Sequence, residues 1–229
     1  MNHNENINRI KAVYSALEDL GDKVVFVGGA TVSLYKDRPA AETRSTEDVD
    51  IIIEVAKYAD YTDIEEQLRK KGFVNDIESN VICRYKINEI IVDIMPTAEN
   101  ILGFNNRWYP DGFKYSMEHI IDEEITVRVL KPEYFIASKL DAYNSRGGGD
   151  GRMSSDFEDI VYVLNNRNTI WDEMKAAPED LRIFLKDEFA NLLKQQYIFE
   201  WVSAHLEYIE QRRANFLIEA LVSFTTEQA

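Results

Sequence analysis

Two hydrophobic periodicities alternate through the first 130 residues, and then one of them stops. Residues 7–20 carry Ile7, Ile10, Val13, Leu17 and Leu20 at helical spacing, with Gly21 as a stop signal. VVFVGG (24–29) then reads as a buried strand running into two glycines, and ATVSLYK continues as a helix. VDIIIEV (49–55) is a second strand, and 61–72 a helix closed by Gly72. VICRYKI (81–87) and IIVDIM (90–95), separated by Asn88-Glu89, predict a hairpin that Pro96 ends. ITVRVL (125–130) is a further strand, and Pro132 stands at a helix start, where proline is tolerated. Beyond residue 133 only helical patterns remain, over 133–144, 154–166, 179–195 and 197–223. The expectation is an α+β chain, with a mixed-sheet α/β module over residues 1–130 and an all-helical module over 131–229.

Against this pattern, three carboxylates stand in awkward places. Asp48 and Asp50 open an apolar strand at i and i+2. Strand side chains alternate, so both project on one face, about 7 Å apart, while Val49 points the other way. Like charges so placed repel unless a cation lies between them, although a bare DxD also reads as an acidic turn entering a strand. Asp93 interrupts IIVDIM, where every neighbour is apolar. Burying a lone carboxylate costs several kcal/mol, so Asp93 either has a cation or strong hydrogen-bond partner, or sits on an edge strand facing solvent. If its strand lies beside 49–55, three carboxylates converge on one face, the donor type that Mg²⁺ prefers. Gly28-Gly29, between strand and helix, reads as a packing turn or as a phosphate-binding turn with Thr31 and Ser33 as added donors. Neither GxxxxGK[ST] nor GxGxxG is present.

Other features narrow the class. The chain has 41 acidic and 26 basic residues, a net charge of −15, which opposes nucleic-acid binding over the whole surface but leaves room for a local basic channel. Cys83 is the single cysteine, so an intramolecular disulfide is impossible and a cysteine-based zinc site implausible. The three histidines are too scattered for a ligand spacing. No apolar run reaches the length of a membrane span, and the polar N-terminus is no secretory signal, so a cytoplasmic protein without a membrane partner is expected. GGGDG (147–151) reads as a helix connector or a closing lid, and Lys139 with Arg146, seven apart, as one basic helix face.

GG, then a DxD preceded by Thr46, then a third aspartate in an apolar strand, resembles the nucleotidyltransferase superfamily with its polymerase-β-like palm. KLDAYNSR (139–146) followed by DFEDI (156–160) resembles the K-L-x-A-x-x-x-R…D-x-x-D-[IL] motif of AbiEii-type nucleotidyltransferases, the toxin side of type IV toxin–antitoxin pairs. The resemblance spans residues 20–165. It implies an enzyme with a two-ion Mg²⁺ site that moves an NMP from an NTP such as ATP to an acceptor hydroxyl on a tRNA, a protein or a small molecule. A cognate antitoxin is a further implied partner. Position by position, Asp48 and Asp50 would ligate the ions, and Asp93 would complete the second site and help deprotonate the acceptor. Gly28 and Gly29 would approach the β/γ-phosphates, and Lys139 would face the triphosphate. Asp156 and Asp159 would orient basic partners or lie near the nucleotide. The chain departs from the pattern in reading GGA, so a hydroxyl must come from Thr31 or Ser33, and in having only Arg152 as a base within 147–155. The competing expectation is a catalytically inactive protein of this fold, kept for binding or regulation.

Overall fold

β-Branched apolar runs become the strands of one sheet. The computed structural model describes residues 2–39, 42–55, 57–103 and 106–227. Helix α1 (Asn2–Leu17) buries Ile10, Val13 and Leu17, and a 3₁₀ stretch, Glu18–Lys23, leads into β1 (Val24–Val27), buried throughout. A second 3₁₀ stretch, Gly29–Tyr35, precedes β2 (Asp48–Ile53), α2 (Tyr58–Lys70) and the short β3 (Val74–Asn75). Next come β4 (Arg84–Ile87), β5 (Ile90–Pro96), α3 (Glu99–Leu102), α4 (Tyr109–Lys114), β6 (Met117–Ile120) and β7 (Thr126–Val129). Among the described residues the sheet has seven strands, in the order β3-β4-β5-β2-β1-β7-β6. The β2–β5 and β1–β7 pairs are parallel and the other pairs antiparallel.

Helices follow: α5 (Pro132–Ser145), α6 (Ser155–Asn166), α7 (Ile170–Lys175), α8 (Glu179–Leu193), α9 (Ile198–Ala204) and α10 (Arg213–Thr226). The chain is therefore α+β with a helical C-terminal part. It divides into two compact units, Met1–Leu34 with Glu42–Lys131, and Tyr35–Ala41 with Pro132–Ala229. No helix among the described residues is long and apolar enough to cross a membrane.

Three local expectations are corrected. The segment after Gly28-Gly29 is a buried 3₁₀ helix, where Thr31 bonds back to the Gly28 carbonyl through both its amide (3.3 Å) and its hydroxyl (2.9 Å). The helical pattern of 197–223 breaks between α9 and α10. There Leu206 is buried, His205 Nε2 lies 2.8 Å from the Gly151 carbonyl, and Glu210 bonds Arg38 and Asn165. Strand β4 starts only at Arg84, since Val81–Cys83 form a turn. Strands β3 and β6 lie at the two sheet edges and carry too little alternation to be read from sequence. The glycine-rich connector is anchored at its far end. A Cβ on Gly151 would stand 2.7 Å from the Trp201 ring, which itself packs edge-on against Phe157.

Candidate active site

The hairpin turn sets the first part of the geometry. Asn88 and Glu89 both have positive φ, 46° and 65°, as the two centres of a type I′ turn require. A two-residue turn at 88–89 pairs residues whose numbers sum to 177, so Ile87 faces Ile90 and Arg84 faces Asp93. The parallel register then places Asp50 beside Asp93 and Asp48 beside Ile91. With side chains alternating along each strand, Asp48, Asp50 and Asp93 share one face of the sheet.

Arg84 holds two of them. Its Nε donates to Asp93 Oδ1 at 2.8 Å and its Nη2 to Asp93 Oδ2 at 2.7 Å, a bidentate pair, and Nη2 also reaches Asp48 Oδ2 at 3.4 Å. Asp93 is only 8% exposed. The hydrogen bonds to Asp93 raise the Arg84 pKa further above its usual value, with burial opposing and the charges of Asp93 and Asp48 reinforcing. The guanidinium is thus the counter-charge that makes a buried Asp93 tolerable.

Asp50 meets the glycine turn. Gly28 has φ +70°, and a Cβ there would overlap the Asp50 carboxylate. At Gly29 a Cβ would overlap the Arg44 guanidinium and approach Thr46. The loop carrying Arg44 is pinned by α1: fully buried Asn6 bonds the Arg44 carbonyl (3.3 Å) and the Thr46 amide and hydroxyl (3.4 and 3.3 Å), and Arg9 donates to the Thr46 carbonyl. The turn therefore lies between a carboxylate and a guanidinium. Thr31 and Ser33 are buried, Thr31 on the Gly28 carbonyl and Ser33 Oγ 2.7 Å from His3 Nδ1, so neither hydroxyl stands open beside the glycines.

The second unit gathers the other motif residues. Lys139 Nζ lies 3.2 Å from Asp156 Oδ1 and 2.7 Å from Asp159 Oδ2, and all three side chains are buried. Arg146, one helical face along α5 but largely exposed, pairs with the other Asp156 oxygen. The motif is here an ion network in which Lys139, Asp156 and Asp159 are buried and Arg146 lies at the surface, and Lys139 is not part of a solvated stripe. Arg152 pairs with Asp150.

Cys83, next to Arg84, is 2% exposed. Burial and the nearby Asp93 charge push its thiol up to about 12. At pH 8 only about one thiol in ten thousand would be ionised. Cys83 is expected to resist Ellman's reagent in the native chain and to react as soon as urea unfolds it. Native labelling at the rate of a free thiol would contradict the burial.

No protein-family model and no curated protein matches the chain. A solved structure does, that of an antigenic nucleotidyltransferase-like protein from Paracoccidioides brasiliensis. It is 18% identical, with a TM-score of 0.52 over 96% of this chain and 93% of that one. The fold is nucleotidyltransferase-like. The likeness is one of fold, and the chemistry must be argued from this chain's own residues.

The chemistry of the three aspartates is that of a donor set a divalent cation would fit. Three carboxylates on one strand face are hard oxygen ligands of the type Mg²⁺ takes. Arg84 holds Asp93 and reaches Asp48, and among the described residues no three His, Cys, Asp or Glu side chains are gathered as a cation cage. Sequence reasoning missed Arg84, Arg44, Arg9 and Asn6. Arg84 was within reach, because the predicted turn puts it opposite Asp93 by arithmetic. Arg44, Arg9 and Asn6 meet only through tertiary packing and leave no local signal.

Proposed function

We propose that this chain is a Mg²⁺-dependent nucleotidyltransferase, moving an NMP from an NTP to an acceptor hydroxyl. The observation that carries this reading is the register of β2 against β5, which aligns Asp50 with Asp93 and puts Asp48 on the same face beside the Gly28-Gly29 turn. Asp48, Asp50 and Asp93 would hold the cation, which when bound supplies Lewis-acid charge at the attacking and leaving oxygens. Asp93 would accept the acceptor's proton as its oxygen bonds the α-phosphorus and the bond to the β-phosphate breaks, releasing pyrophosphate. Arg44 beside Gly29 offers positive charge to that leaving group. The test is transfer of α-labelled NTP with Mg²⁺ and candidate acceptors. Asp48→Ala with Asp50→Ala is expected to abolish it, and unchanged incorporation would sink the reading.

The sequence resemblance to AbiEii-type toxins extends the proposal to a role beside a cognate antitoxin in the cytoplasm. Charge argues about the acceptor. A tRNA would need a basic path, yet Lys139, Arg146 and Arg152 are each paired with carboxylates and the chain carries −15. A protein or small-molecule acceptor is therefore favoured over tRNA, and the labelled product in the same assay decides.

One observation supports a second reading, a binding protein without catalysis: the Arg84 guanidinium already occupies Asp93. Calorimetry with Mg²⁺ and NTP separates the two, because no binding even to excess nucleotide favours the second.

A further inference from the structure

We propose that Arg84 is an internal counter-ion that competes with the divalent cation, holding Asp93 and Asp48 when no such cation does and swinging into the adjoining cavity when one binds. In calling that cation catalytic, this rests on the nucleotidyltransferase reading above.

The argument starts from the carboxylate oxygens. Both oxygens of Asp93 accept from Arg84, and one oxygen of Asp48 accepts from the same Nη2. A cation ligated by Asp93 needs at least one of those oxygens. A guanidinium left against the same carboxylates would also repel the incoming cation, since like charges a few ångström apart in a half-buried site are strongly unfavourable. Guanidinium and metal are therefore alternative occupants of one negative site.

Arg84 also has somewhere to go. Its side chain is 22% exposed and forms part of the wall of a cavity of about 340 Å³, shared with Asn75, Ile77, Asn80 and Ile82. Two amide oxygens there can accept from a released guanidinium, and the aliphatic walls can cover its stem. Only side-chain torsions need change, because the backbone of Arg84 stays in the β4–β5 ladder opposite Asp93. The guanidinium thus lowers the apparent cation affinity by the fraction of time it is bound, as any competing minor-state equilibrium does. It also keeps Asp93 from acting as a base until the cation has arrived. A lysine would hold less firmly, having no planar fork to match the carboxylate.

The test uses the full chain and Mn²⁺ as the probe, with free ion counted by electron paramagnetic resonance. Arg84→Met is expected to bind Mn²⁺ roughly ten- to a hundredfold more tightly than wild type, the span of one charge-assisted contact pair. Arg84→Lys should fall between them, and Asp93→Asn should bind more weakly than wild type. Equal or weaker binding by Arg84→Met overturns the proposal, and so does the absence of Mn²⁺ binding to both proteins. A second measurement needs no variant: Mg²⁺ should accelerate phenylglyoxal labelling of Arg84 in the wild-type chain, followed by peptide mass. An unchanged or slower rate also overturns it, and this arm decides should Arg84→Met fail to fold. Neither readout involves transfer. Tighter binding by Arg84→Met without transfer would remove the enzyme reading and leave the competition standing; transfer without tighter binding would do the reverse.

Discussion

Lys139→Met is expected to destabilise the chain by about 3–5 kcal/mol, the loss that follows when one partner of a buried ion pair is removed. Lys139 Nζ lies between Asp156 and Asp159, and those residues are 3% and 1% exposed. Without the ammonium, two buried carboxylates lose the counter-charge they share, and Arg146 still reaches Asp156. The excess negative charge has no water to solvate it. Urea unfolding followed by tryptophan fluorescence reads the loss directly. Adding Asp159→Leu to Lys139→Met should recover part of it, because one of the two carboxylates that faced the ammonium is then replaced by an apolar group. Transfer per folded molecule decides what else Lys139 does. A raised KM for NTP with unchanged stability would return it to the triphosphate role that the motif resemblance implies.

Much of the sheet was legible because alternation, turn residues and strand length all act locally. The Asn88-Glu89 turn is the clearest case: two positive-φ residues settle the pairing of every residue in β4 and β5, Arg84 with Asp93 included. The common face of Asp48 and Asp50 followed from the strand period alone. Their alignment with Asp93 did not, since a parallel pairing between distant strands has no local signature. Thr31 and Ser33 show the opposite failure. Their place just after the glycines suits hydroxyl donors to a phosphate, and the fold turns both inward, onto the Gly28 carbonyl and His3. The break between α9 and α10 has the same cause. Glu210 is held by Arg38 and Asn165, partners 172 and 45 residues away in the chain. Residues 205–212 include the good helix formers Leu206, Glu207, Glu210, Gln211 and Arg212, so the break is tertiary context overriding local propensity.

Gly28→Ala is expected to reduce transfer about a hundredfold, the scale of a misplacement near 1 Å at a reacting site. Two separate constraints meet at this residue. Its φ of +70° is strained for any L-residue, and the new methyl would overlap the Asp50 carboxylate. Asp50 has little freedom to retreat, because its backbone is paired on both sides, with Val27 of β1 and with Asp93 of β5. The carboxylate must rotate away from the turn or the turn must lift from the sheet, and either change separates the three-carboxylate face from the Gly28-Gly29 turn, the two parts that the proposed function joins. The accompanying stability loss should be about 1–3 kcal/mol, the range for a non-glycine held in that backbone region. Adding Asp50→Ala removes the overlap, so stability should partly recover while transfer falls further, to nothing measurable. That split would separate steric strain from chemistry. Gly29→Ala provides the contrast. Its φ is not in the left-handed region, and the Arg44 guanidinium it meets is the far end of a long side chain. The methyl can displace Arg44 but must also push back the Thr46 methyl, 2.7 Å away, so the smaller loss of stability comes from the absence of backbone strain, and the defect should appear chiefly as a raised KM for the nucleotide. Equal stability losses at the two glycines would mean that Asp50 is not what requires glycine at position 28.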